Sequence, residues 1–153
     1  MPLIRIWVYD HILASSVAGC IDVFAAANFL WLKRHGNGKA PPLKWRLESL
    51  DGKPVRTASG QVLNVDGLIS PRSAADAVIV PGPFVADIER FFGRKDLLKP
   101  LCSALRYQHG RGTLLASYIA PAVLFLRRPA CLKVALRPPT GPGPQRLRGA
   151  IRT

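Results

Sequence analysis

Apolar runs of strand length alternate with apolar stretches of helix length along most of the chain. Leu3-Ile4-Arg5-Ile6-Trp7-Val8-Tyr9 is nearly continuous in β-branched and aromatic residues, the pattern of a strand buried on both faces of a parallel sheet. Asp10-His11 ends it. The next helix is capped by Ser15 or Ser16, runs through residues 22–30 and closes near Gly36-Asn37-Gly38. Within it Val17, Ile21, Phe24 and Phe29 recur at roughly helical spacing, which predicts that this helix lies on the sheet.

After Pro41-Pro42, residues 43–50 alternate apolar and polar, marking a half-exposed strand. Val55-Arg56-Thr57 and Val62-Leu63-Asn64-Val65, joined through Ala58-Ser59-Gly60, predict a small hairpin. Ala77-Val78-Ile79-Val80 is the clearest central strand and ends at Pro81-Gly82-Pro83. Helices are expected over 87–92 and 96–109, and Gly110-Arg111-Gly112 separates the second from a strand over Thr113 to Ser117. That strand, a sharp turn and an apolar segment to Leu126 have the strand–turn–helix pattern of a nucleophile elbow. Strands and helices in alternation argue for an α/β three-layer sandwich around a mostly parallel sheet.

At 153 residues, 48% apolar and 20% charged, the composition is that of one globular domain. No apolar run approaches the roughly 20 residues of a membrane span, and the amino terminus has no signal-peptide pattern. A cytoplasmic protein without membrane contact is the expectation. Cys20, Cys102 and Cys131 are odd in number, widely spaced and without a CxxC pair, which predicts ordinary buried thiols and neither a disulfide framework nor zinc. His11, His35 and His109 have no ligand spacing among them, so neither metal nor cofactor is expected. Arg90, Arg94, Lys95 and Lys99 read as solvated helix charges, since no phosphate-binding glycine loop accompanies them.

The net charge of +13 suggests nucleic acid, but its distribution decides the matter. Residues 127–153 hold seven basic residues and no acidic one. The remaining 15 basic against 9 acidic residues leave +6 over residues 1–126. The body of the chain is only mildly basic.

Four segments, in order, resemble the ThiJ/PfpI-like branch of the class I glutamine amidotransferase-like superfamily, above all the amino-terminal domain of AraC-type transcriptional regulators. Ser16-Val17-Ala18-Gly19-Cys20-Ile21-Asp22-Val23-Phe24 occupies the place of that family's D-L-x-G-P-x-E-V-F helix. Pro54-Val55-Arg56-Thr57-Ala58-Ser59-Gly60 resembles its strand and hairpin, Val78-Ile79-Val80-Pro81-Gly82-Pro83 its V-V-P-G-G strand end, and Ala116 to Leu126 its A-S-V-C-T-G-A-F-L-L-A elbow. The resemblance implies a flavodoxin-like domain over residues 1–126, incomplete at its carboxyl end. It also implies a ligand cleft at the carboxyl ends of the strands, lined by Tyr9, Asp22, Gly82, Tyr118, Ile119 and Ala120.

The departures from that pattern bear on chemistry. The family's elbow cysteine falls on Ile119, its threonine on Ala120 and its glycine on Pro121. Its leading helix aspartate falls on Ser16, and its second strand-end glycine on Pro83, which has no N–H for an oxyanion hole. Asp22 keeps the acidic character of the family's glutamate, but has no thiol at 119 to activate. The expectation is no catalytic residue. A non-enzymatic ligand-sensing or dimerisation domain fits, homodimeric, with a small-molecule effector and no specific DNA binding of its own. A small hydrolase, hydratase or glyoxalase is the rival reading.

From Arg127 the composition changes: residues 127–153 include five prolines, and Pro138-Pro139-Thr140-Gly141-Pro142-Gly143-Pro144 can be neither helix nor central strand. This tail is expected to be disordered. Permitted codons for residues 131–153, read two bases later, encode P-E-G-R-A-A-T-T-H-W-A-W-P-P-T-F-A-R-R-Y-P-D. That matches the G-R-x-A-T-T-H-W strand with which the family continues, so a shift of reading frame near residues 126–128 is expected. Sequencing the DNA from about codon 120 to beyond the stop codon tests this. The expected outcome is an uninterrupted second frame carrying T-T-H-W and a helix-turn-helix pair; independent reads lacking it would remove the explanation.

Overall fold

The computed structural model describes residues 2–36 and 38–118. In chain order these form β1 (Leu3–Trp7), α1 (Ala14–His35), β2 (Lys44–Ser49), β3 (Val55–Arg56), β4 (Val62–Leu63), β5 (Gly67–Leu68) and β6 (Ala77–Pro81). A 3-10 turn (Val85–Asp87), α2 (Ile88–Gly93), α3 (Lys95–Gly110) and β7 (Leu114–Tyr118) complete them. Five strands make one sheet in the order β5-β2-β1-β6-β7, and every pairing in it is parallel. β3 and β4 form a separate antiparallel hairpin, as their sequence predicts.

From β1 the chain crosses through α1 to β2 on one side, and later from β6 through α3 to β7 on the other. Right-handed crossovers running in opposite directions place the two helices on opposite faces of the sheet. The result is the three-layer, flavodoxin-like α/β sandwich expected from the sequence. β1 lies at the centre, and its residues Ile6 and Trp7 are completely buried.

Side-chain alternation divides the sheet. Ile4 and Ile6 share one face with their register partners Trp45 and Leu47. Phe24 of α1 reaches this face, with its ring centroid 6.0 Å from that of Trp45. The helix is held further along by Asn28, whose side-chain amide donates to the Leu43 carbonyl and accepts from the Leu43 N–H, both at 2.9 Å. This corrects the expectation for Phe29, which is 65% exposed. The steps 17, 21, 24 and 28 follow helical geometry, whereas residue 29 is turned about 100° away. The cap differs too: Leu13 is the N-cap residue, and the Ser16 hydroxyl donates to its carbonyl at 2.6 Å.

α1 also amends the membrane expectation, since its 22 residues are apolar and long enough to cross a bilayer by length and composition. It lies along the sheet instead, with Val17 in the core and Cys20, Ile21 and Phe24 packed against it. On α3, the buried residues Leu97, Leu101, Leu105 and Gln108 form one stripe. Gln108 donates to the carbonyls of Pro71 and Ser73 at 2.7 and 2.8 Å and accepts from the Thr113 hydroxyl, tying the loop before β6 to the start of β7. Cys102 is buried on this helix and disulfide-bonded, against the expectation of an ordinary thiol. Widely spaced cysteines give no sequence signal for such a bond.

The face of Arg5, Trp7 and Glu48 carries a buried ion pair. The Arg5 guanidinium donates to Glu48 Oε1, and its Nε donates to the Ala74 carbonyl at 3.0 Å. Trp7 Nε1 donates to Glu48 Oε2 at 3.2 Å. The pair joins β1 to β2 directly, because Trp7 and Glu48 are register partners. Removing Glu48 leaves the Arg5 guanidinium buried without its carboxylate partner, whereas removing Arg5 leaves Glu48 with the Arg46 Nε at 4.0 Å. Glu48→Leu should lower unfolding free energy by about 3–5 kcal/mol, and Arg5→Leu by less. In urea denaturation the double variant should lose clearly less than the sum, the signature of coupling.

Candidate functional site

In open α/β sheets, ligands bind outside the carboxyl ends of the strands where the strand order reverses. Here that point lies between β1 and β6. The chain leaving β1 makes a tight turn there. His11 adopts φ 65, the left-handed region that glycine favours. Its N–H donates to the Arg56 carbonyl at 2.8 Å, and its carbonyl accepts from the Phe84 N–H at 3.4 Å. Ile12 bridges to Pro83, and the Leu13 N–H donates to the Gly82 carbonyl at 3.3 Å. These bonds hold the β1 and β6 ends together against the strain at His11.

Tyr9 forms the floor. It is buried, its hydroxyl donates to the Pro81 carbonyl at 2.7 Å, and its ring stacks on Phe91 with centroids 5.0 Å apart. Burial pushes its phenol far above the ordinary tyrosine range. Tyr9 is therefore a neutral hydrogen-bond donor near pH 7, with no capacity to act as a phenolate base.

Beside this floor, at the ends of β1 and β2, lies a cleft of about 210 Å³ lined by polar side chains including Asp10, Ser49, Asp51, Arg94 and Asp96. A second recess of about 10 Å³, enough for roughly one water, adjoins it through Asp10, Arg94 and Leu97 and is also bordered by His11 and Arg90. Arg94 holds Asp96 through Nε and Nη2, at 2.9 to 3.1 Å. This bond keeps the Asp96 carboxyl below the usual range. The Lys53 N–H, with help from the Ser49 hydroxyl, does the same for Asp51. Asp10 accepts from the Arg56 N–H at 2.8 Å. Carboxylates and a guanidinium thus face a space of small-molecule size, an arrangement able to bind and orient a polar ligand.

The expected lining residues are placed as follows. Tyr9 borders the larger cleft. Gly82 is buried and lines neither of the two clefts, and Tyr118 ends β7 in register with Pro81. Asp22 is exposed on α1 and borders neither of the two clefts. Ile119 and Ala120 lie outside the described residues. Pro83 is buried at the end of β6, where it supplies no N–H.

Sequence reasoning missed Asp10, Asp51 and Arg94 as cleft residues. Asp10 immediately follows an apolar strand, a position that the switch-point rule marks. Arg94 looked like one of several surface helix charges, and only the folded turn between α2 and α3 brings it to the strand ends. The free thiol of Cys20, half-buried on α1, is pushed up by burial, the reverse of an activated nucleophile. Among the described residues, no three His, Cys, Asp or Glu side chains converge as metal ligands.

Neither a family model nor a curated protein matches the chain. Solved structures do. DJ-1beta from Drosophila melanogaster superposes with a TM-score of 0.59 at 17% identity, over 82% of this chain and 58% of that one. An AraC family transcriptional regulator from Pseudomonas putida gives 0.59 at 20% identity, over 82% and 60%. A putative protease I from Bacteroides thetaiotaomicron gives 0.56 at 15% identity, over 86% and 79%. The chain thus spans under two thirds of the first two structures.

Tyr9 gives the site a pH signature. A phenol raised on folding contributes stability that is fully present below its unfolded value of about 10 and lost as pH rises toward the higher folded value. Unfolding free energy should therefore fall by about 1.4 kcal/mol per pH unit above pH 10. Tyr9→Phe should flatten that slope while costing about 1 kcal/mol at neutral pH, both measurable by urea denaturation across pH. At the level these comparisons reach, the chain has the fold of the DJ-1 proteins, a fold also carried by a solved AraC family regulator.

Proposed function

We propose that this chain is a non-catalytic ligand-sensing or dimerisation domain of an AraC-type transcriptional regulator. The polar cleft at the strand ends carries the reading. Its charged lining, Asp10, Asp51, Arg94 and Asp96, suits recognition of a small polar effector, and among the described residues no thiol borders it. The elbow position inferred from the sequence, Ile119, offers no nucleophile, and Pro83 offers no oxyanion donor. The Pseudomonas putida regulator supplies a precedent for this fold within a regulator. The proposed setting is the cytoplasm, with a homodimer as the working unit, and without DNA affinity of its own.

The DJ-1 and protease I likenesses keep a small hydrolase, hydratase or glyoxalase as the rival. Such an enzyme needs a thiolate of lowered pKa, which alkylates quickly near neutral pH. The proposal predicts slow iodoacetamide labelling of Cys20 in the native chain, quickening only on denaturation. It also predicts that a screen of small polar metabolites contains one that raises Tm, an effect lost in Arg94→Ala. Rapid stoichiometric alkylation, or turnover of any screened compound, would instead favour the enzyme.

A further inference from the structure

The strand-end cleft lies at the carboxyl ends of β1 and β2, and the opposite end of the sheet holds a recess of its own. This recess has a volume of about 270 Å³ and is bordered by Ala74, Ala75, Asp76, Arg111, Gly112 and Thr113. Those residues are the approaches to β6 and β7, which begin at Ala77 and Leu114. A five-residue strand spans about 17 Å, so the two spaces are separate.

Three polar side chains give the recess its chemistry, and each is fixed by a bond that leaves part of it free. Asp76 accepts from the Leu3 N–H through Oδ2 at 2.7 Å, which leaves Oδ1. The Thr113 hydroxyl donates to Gln108 Oε1 at 2.7 Å, with the Ala75 carbonyl also in reach at 3.2 Å. With its hydrogen committed, that oxygen meets any further group as an acceptor. Arg111 reaches back from the turn after α3 to the loop before β6, where Nη1 donates to the Arg72 carbonyl at 3.0 Å. Its guanidinium carbon also lies 5.9 Å from the centre of the Tyr107 ring, and its remaining N–H groups are uncommitted. Gly112 adopts φ 82 and has open space where a side chain would stand, so the turn leaves the recess accessible. Asp76 and Arg111 border the same space, yet among the described residues neither makes an ion pair with any side chain.

The geometry points to a binding site for a small zwitterion, an α-amino acid. Its carboxylate meets the free N–H groups of Arg111, and its ammonium meets Asp76 Oδ1 and the Thr113 hydroxyl, all charge-assisted bonds. A ligand of one charge satisfies only half of this set. A polyanion is opposed by Asp76 and a polyamine by Arg111. The volume sits just below the roughly 300–1,000 Å³ of pockets for drug-sized ligands, which suits a molecule of amino-acid size. The site is independent of the strand-end cleft and of the function proposed for it. Both of its charges are solvated, so each contact contributes modestly, and a dissociation constant on the order of 1 mM is expected at low salt.

A backbone-amide NMR titration of the full chain with L-alanine at low salt tests this. Saturable shifts are expected at residues 74–76 and 111–113, with none that saturate for acetate or methylammonium at equal concentration. Arg111→Ala and Asp76→Asn should each raise the dissociation constant about tenfold, and Arg111→Lys, which keeps the charge, should raise it less. Both positions are exposed, and the amide oxygen introduced by Asp76→Asn still accepts from the Leu3 N–H. An unchanged amide spectrum away from the site checks that the variants are folded.

No saturable shift at these residues overturns the proposal. So does acetate or methylammonium matching L-alanine, or an affinity indifferent to Arg111→Ala and Asp76→Asn. Shifts confined to residues 8–13, 49–55 and 94–97 overturn it too, while upholding the strand-end cleft. The sensor reading fails separately, since a cleft that answers to no metabolite leaves the shifts at 74–76 and 111–113 standing.

Discussion

A parallel sheet is stable in water only when both of its faces are covered, and most of this fold follows from that constraint. Opposite crossovers from β1 and β6 supply a helix to each face and create a switch point between these strands, next to the cleft at the ends of β1 and β2. The central strand must then be apolar on both sides, as Ile6 and Trp7 are. The one charged side chain it buries, Arg5, is matched by Glu48 on the adjacent strand. That pair locks the β1–β2 register, since a one-residue slip would separate two buried charges.

The same topology explains why binding is better supported than bond making. The β1 and β6 ends are drawn together by the strained turn at His11 and by backbone bonds to Gly82 and Phe84. Around them the chain gathers charged groups already engaged with one another: Arg94 with Asp96, Asp51 with Ser49 and the Lys53 N–H, Asp10 with the Arg56 N–H. The buried phenol of Tyr9 fixes the floor without offering a base.

Much of this was legible in the amino acids. Runs such as Leu3-Ile4-Arg5-Ile6-Trp7 and Ala77-Val78-Ile79-Val80 are long enough and apolar enough for periodicity alone to identify them as buried strands. The separate hairpin followed from its β-branched residues and the glycine turn. What escaped depended on tertiary partners. Asn28 is buried because Leu43 satisfies its amide, and a polar residue with so distant a partner leaves no local trace. β5 has two residues, Gly67 and Leu68, and exists only by pairing with Glu48 and Ser49. Arg94 joins the cleft through a turn whose path the composition does not encode.

The central claim is that the strand-end cleft binds a small polar molecule and leaves it unchanged. Hydrogen–deuterium exchange of the full chain, with and without a defined mixture of polar metabolites, tests this most directly when the mixture is quantified before and after. The account predicts slowed exchange in three segments, residues 8–13, 49–55 and 94–97, with every metabolite recovered intact. Slowed exchange confined to other segments, or loss of a metabolite with appearance of a product, would contradict it.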